Sequence, residues 1–271
     1  MIEEAVNFKN MTGILSSGSQ NADAPVVLLF NAGFLHRVGP FRLWVDVART
    51  LAETHVPSLR FDLAGLGDSP APPDSDANDD PVVRTITNLR QAMDFVEGRL
   101  GKRDFLVFGL CSGADYAHPA AVADARIRGI VFIDGYGYRT PGYHFHRHFK
   151  RLTSLRRWIN LTRRTVYREP AFFNDFTEDL REFPPRARIQ TEILDFLRAG
   201  RRLHYVYSGG VPEYFNHARQ FWEMFPLLQP SSGLRCTFFG KTDHTFALVR
   251  ERAMLIGLLV EFAHGACASR R

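Results

Sequence analysis

Six short apolar runs, rich in β-branched and aromatic residues, recur along the chain at 26–30, 59–61, 105–108, 130–133, 203–207 and 235–239. Runs of this kind, without polar alternation, belong to strands covered on both faces, which restricts the chain to a mostly parallel sheet flanked by helices. The intervening stretches have the helical period. Ile86, Leu89, Met93, Val96 and Leu100 form one apolar stripe, and Phe41, Trp44, Ala48 and Leu51 form another. This alternation predicts a doubly wound α/β architecture, whose ligands gather at the carboxyl ends of the strands.

Two segments break the alternation. Residues 69–81 hold four prolines and four aspartates and should form a solvated loop. Residues 136–202 are far too many for a simple connection between strands. Leu152, Leu155, Ile159 and Val166 share one helical face there, with Arg156, Arg157, Arg163 and Arg164 opposite. We read 136–202 as an inserted helical lid on a core made of 1–135 and 203–271. A chain of 271 residues, 45% of them hydrophobic, is large enough for one such domain with its insertion.

Charge is concentrated in the insert. From 139 to 168 there are eight arginines, one lysine, three histidines and no acid, whereas the net charge of +5 is mild for the whole chain. The block reads as a solvated face, or as a dock for an acidic acyl carrier protein or the phosphates of coenzyme A, which arginine forks bind well. No stacking platform accompanies it, so nucleic acid is not expected. His144, His146 and His148 would line one face of a strand, but arginines and Lys150 nearby oppose a cation, and no metal site is expected. Three widely spaced cysteines, Cys111, Cys236 and Cys267, give neither a disulfide framework nor a zinc set and suit a reducing compartment. The first ten residues carry two acids and no apolar run, and no 18 apolar residues occur in succession. A cytoplasmic protein without a membrane span is therefore expected.

The chemistry centres on Gly109-Leu110-Cys111-Ser112-Gly113-Ala114, which follows the apolar run at 105–108 directly. A strand-turn-helix elbow places its central residue in a strained conformation at the top of the sheet, and small residues on either side let strand and helix approach. The following helix points its N-terminus at Cys111 and favours a thiolate there. Pro119 predicts a kink or an early end to that helix, with Asp115 and Tyr116 near the pocket.

With this elbow the chain resembles the α/β-hydrolases along nearly its whole length. Asn31-Ala32-Gly33-Phe34 occupies the place of the family's His-Gly oxyanion loop, and Asp62-Leu63-Ala64-Gly65-Leu66-Gly67-Asp68-Ser69 is similar to its D-x-x-G-x-G-x-S turn. The elbow with its cysteine and the Asn31 loop look most like bacterial members that accompany exopolysaccharide or natural-product biosynthesis. The resemblance implies acyl chemistry without a cofactor, in the chain order nucleophile, acid, base. His244 fits as base, since it follows the last strand through a short turn. For the acid, Glu213 in the loop after 203–207 is preferred, and Asp134 is the alternative. The N–H groups of Ser112 and of Gly33 or Phe34 should form the oxyanion hole, so that loss of the Ser112 side chain should matter little.

The expected function is an ester or thioester hydrolase or acyltransferase that forms an acyl-Cys111 intermediate. A lactone or dienelactone-type hydrolase is a variant of the same chemistry. A non-catalytic binding protein of the same fold is the rival.

Overall fold

The computed structural model describes residues 1–18, 23–72, 80–152, 181 and 183–268, with all side chains but those of 148–152, 267 and 268. Its centre is an eight-stranded sheet. The strands are β1 (Ile2–Phe8), β2 (Met11–Ser17), β3 (Val26–Leu29), β4 (Ser58–Phe61), β5 (Phe105–Leu110), β6 (Ile127–Ile133), β7 (Arg202–Ser208) and β8 (Leu234–Phe239), in the spatial order β1-β2-β4-β3-β5-β6-β7-β8. β1 and β2 form an antiparallel hairpin, β2 joins β4 antiparallel, and every pairing from β4 to β8 is parallel.

The six apolar runs match β3 to β8 within a residue or a few at the ends. Their side chains divide by period 2. Val26, Leu28, Phe105 and Val107 enter the core on one face, and Val27, Leu29, Leu106 and Phe108 that on the other. The first face is covered by α2 (Pro81–Leu100), α3 (Ser112–Ala123), α5 (Arg186–Arg198) and α6 (Gln220–Met224), the second by α1 (Leu43–Glu53) and α7 (Val249–Ala268). One further helix, α4 (Pro141–Leu152), lies between β6 and α5.

Helix expectations hold with two changes. Leu89, Met93 and Val96 are buried along α2, and Trp44, Ala48 and Leu51 along α1. Phe41, however, stands outside α1 with φ 48° and an exposed ring, because a short 3-10 turn at Pro40–Arg42 precedes the helix. Pro81 closes no loop. It is the first residue of α2, a position where its missing N–H costs nothing, and Asp80 caps it by accepting from the Val82 N–H at 2.8 Å.

Pro119 neither ends nor starves α3, which runs on to Ala123. The carbonyl that its absent N–H leaves open is that of Asp115, and the Tyr136 hydroxyl donates to it at 2.9 Å. The histidines at 144, 146 and 148 lie on α4, a helix rather than a strand, so they do not share one face as pleated residues would. Residues 153–180, with Leu155, Ile159, Val166 and most of the basic block, fall outside the described residues. No described helix is long and apolar enough to cross a membrane.

Candidate active site

β5 ends at Leu110 and α3 begins at Ser112, so Cys111 alone turns the chain, at φ 56° and ψ −125°. A left-handed non-glycine residue costs about 1–3 kcal/mol and persists only where its surroundings fix it. Here the Cys111 N–H donates to the Ile133 carbonyl at 2.8 Å, and its own carbonyl accepts from Ala114 and Asp115. The flanking glycines are needed for contact: a Cβ on Gly109 would lie 2.4 Å from the Gly113 carbonyl oxygen, and one on Gly113 2.9 Å from that of Asn31.

His244 follows β8 in a turn capped by Asp243, whose carboxylate accepts from the N–H groups of Thr245 and Ala247. Its Nδ1 lies 2.7 Å from Asp134 Oδ2. Asp134 is fully buried beyond the end of β6, at φ 49°. Oδ1 accepts from the Ser208 N–H and Oδ2 from the Ser208 hydroxyl, each at 2.6 Å. These bonds fix the orientation of the carboxylate against the ring.

The preferred acid, Glu213, is thus not the group that meets His244; the alternative, Asp134, is. The reason lies in the loop after β7. Its backbone passes tightly beneath His244 at Gly210, where a Cβ would be 2.1 Å from the His244 nitrogen, and then turns toward α4. By Glu213 the chain has left the site, and the Glu213 carbonyl accepts from Arg139 Nε and the Tyr143 hydroxyl, each at 2.8 Å.

Cys111, half-buried, lies beside His244, and the imidazole acts on its thiol. Burial pushes the thiol up, but the His244 hydrogen bond, the charges of Arg181 and His244, and the Ser112 N–H outweigh it, and the thiol is held below its ordinary value. For His244, burial opposes charge, yet the bonds to Asp134 and Cys111 raise it to about 10. Both directions favour a thiolate facing an imidazolium. Cys236 is the opposite case, a thiol that burial alone holds far above its ordinary value.

Arg181 escaped the sequence reading, since nothing separates it from the other arginines of the insert. Its guanidinium donates to Asp115 Oδ2 through Nε at 2.8 Å, to the Tyr214 hydroxyl at 3.1 Å and to the Asp134 carbonyl at 3.1 Å. Burial pushes the Asp115 carboxyl up to about 6, against the pull of Arg181. The expected result for Arg181→Met is an upward shift of the pH midpoint for alkylation of Cys111 by iodoacetamide. An unchanged midpoint would remove Arg181 from the electrostatics of the thiol.

The loop after β3, expected to hold oxyanion donors, is braced by Asn31. Asn31 Nδ2 donates to Asp62 Oδ1 and to the Leu35 carbonyl, each at 2.8 Å, and Asn31 Oδ1 accepts from the Leu63 N–H at 2.7 Å. His36, Asp62 and Asp68 bring donor atoms within 4.8 Å of one another, a spacing that suits a cation. The guanidinium of Arg37 already pairs with both carboxylates, so the cluster reads as an ion-pair network. Gly33 (φ 57°) gives its N–H to the Ser112 hydroxyl at 2.7 Å, and Phe34 is almost wholly exposed.

No family model and no curated protein matches this chain. Solved structures do. An α/β hydrolase from Penicillium sp. sh18 is 16% identical over 99% of this chain and 100% of its own, with a TM-score of 0.61. Proline iminopeptidase of Mycobacterium smegmatis is 14% identical over the full length of both chains, with a TM-score of 0.59. An esterase of Pyrococcus furiosus is 13% identical over 97% of this chain and 90% of its own, with a TM-score of 0.60. With an eight-stranded, mostly parallel sheet between two helical layers and likenesses that run from end to end, the chain has the α/β-hydrolase fold.

Proposed function

We propose that this protein is a cofactor-independent acyl hydrolase or acyltransferase, acting on an ester or thioester through an acyl-cysteine intermediate, with Cys111 as nucleophile, His244 as base and Asp134 as its orienting acid. The observation that carries the reading is the line from a strained elbow cysteine through His244 to a buried carboxylate 2.7 Å from the far ring nitrogen.

The chemistry follows from the charges. The Cys111 thiolate adds to the substrate carbonyl, whose electron pair moves onto oxygen. On collapse the bond to the leaving sulfur or oxygen breaks, and the imidazolium of His244 supplies its proton. Water or another acceptor, deprotonated by His244, then attacks the acyl-Cys111 thioester and releases the thiolate. Exchange of one thioester for another is nearly balanced in energy, whereas an unactivated oxygen ester lies downhill of the acyl-enzyme, so thioesters and activated esters are the favoured substrates. Because the intermediate is itself a thioester, transfer to an acceptor competes with hydrolysis.

The finer assignments are part of the proposal. The solved α/β hydrolases that resemble this chain include esterases and a peptidase, which agrees with acyl chemistry. Residues 136–202 would act as a lid, with the basic block receiving an acyl carrier protein or coenzyme A. Of the arginines and the lysine of that block, only Arg139 and Arg147 have side chains among the described residues. Intact-mass spectrometry after incubation with a panel of acyl thioesters should find one acyl adduct, on Cys111. Cys111→Ala should give neither adduct nor turnover, and Cys236→Ala should keep both. An adduct elsewhere, or full activity in Cys111→Ala, would defeat the assignment.

A further inference from the structure

Two backbone N–H groups were expected to form the oxyanion hole, and one of them is already engaged. Gly33 donates to Ser112 Oγ at 2.7 Å, so the hydroxyl oxygen sits where a substrate oxygen receiving that N–H would have to be. The Ser112 N–H, at the first turn of α3, lies near enough to the Cys111 sulfur to help hold its thiol down. Ser112 therefore presents two groups beside the nucleophile. Its hydroxyl hydrogen has no acceptor among the described residues, and the side chain is only partly buried.

We infer that the Ser112 hydroxyl, seated on the Gly33 N–H, is itself a donor of the oxyanion site, paired with the Ser112 main-chain N–H. This rests on the reading of Cys111 as the acylated residue. Both groups belong to the residue directly after Cys111, so a carbonyl bonded to Cys111 Sγ forms beside them. Three properties favour the hydroxyl as donor. It accepts a short bond from an amide, which polarises its own O–H. An O–H facing an oxyanion makes a shorter and stronger bond than a neutral pair. Gly33 is in turn part of a loop fixed by Asn31 to Asp62 and Leu63, so the hydroxyl is held from behind and needs no reorganisation during reaction. The alternative second donor is the Phe34 N–H, which bonds no acceptor among the described residues.

The test compares the wild type with Ser112→Ala and Ser112→Thr, using p-nitrophenyl acetate carrying a 13C-labelled carbonyl. Removal of one oxyanion donor costs about a hundredfold or more in rate, so Ser112→Ala should acylate about a hundredfold more slowly, with little change in KM. Ser112→Thr, which keeps the hydroxyl, should recover most of the rate. Alkylation of Cys111 by iodoacetamide develops no oxyanion and should proceed at one rate in all three proteins. The carbonyl stretch of acetyl-Cys111 should move to higher frequency in Ser112→Ala, since it loses a hydrogen bond. Wild-type acylation in Ser112→Ala would overturn the inference, for the freed Gly33 N–H or that of Phe34 would then be the donor. Slower acylation with an unshifted carbonyl band would overturn it as well, because the hydroxyl would be acting away from the carbonyl. A wild type that forms no acetyl adduct at Cys111 fails at an earlier readout and removes the nucleophile assignment beneath.

Discussion

Asp134→Asn will lower kcat by about three orders of magnitude or more, the scale on which a triad fails when its base takes the wrong tautomer. The geometry dictates which way the new amide turns. The Ser208 N–H, 2.6 Å from Oδ1, requires an oxygen there, so the amide nitrogen must replace Oδ2, the atom that now faces His244. An N–H at that place donates to Nδ1 and drives the ring proton to Nε2, where it can no longer receive one from Cys111. Glu213→Gln should change kcat by no more than a few fold. Steady-state kinetics on one activated ester decides the matter: a larger loss in Glu213→Gln than in Asp134→Asn would restore the loop carboxylate as the acid.

Gly109→Ala is expected to have the largest effect on stability. The added methyl would meet the Gly113 carbonyl oxygen at 2.4 Å and the Ala114 nitrogen and Cα at 2.6 Å, all of them backbone. Neither side can yield easily, since β5 is buried along its whole length in the middle of the sheet and α3 packs across it. Overpacking of this kind costs about 1–3 kcal/mol and more where backbone must move. At about 2–4 °C per kcal/mol for a domain near this size, Tm should fall by roughly 10 °C, or the protein should fail to accumulate. Gly98→Ala is the control, because a Cβ there meets nothing within 4 Å on α2 and helix propensity favours alanine by about 1 kcal/mol. Equal melting curves for the two variants would mean that the elbow tolerates a side chain at 109.

The central strands were legible because each must be apolar on both faces, and no other element of four to seven residues needs that. β1 and β2 were not. β1 is an edge strand with only Val6 and Phe8 buried, so Glu3, Glu4 and Asn7 dilute its pattern. Its signal is local instead, the two-residue turn Lys9-Asn10, with Lys9 at φ 50°. Cys111 and His244, the proposed nucleophile and base, could be picked out because each follows a recognisable strand. For the acid the sequence favoured Glu213 over Asp134, since both lie just past strands, and the backbone path at Gly210 that sets Asp134 rather than Glu213 beside His244 leaves no mark in it. Arg181 and the Gly33 to Ser112 bond are contacts between distant segments, and no periodicity or spacing encodes them.

The Asp134 to His244 bond closes across 110 residues, with β7 and β8 between the two ends. Contacts so far apart in sequence form late, after most of the chain entropy has been surrendered. Until β8 docks, Cys111 has no imidazole beside it and is an ordinary thiol. The depression of the Cys111 thiol by His244 therefore exists only once β8 is in place. On the proposed mechanism, the same sheet that builds the site also times its appearance.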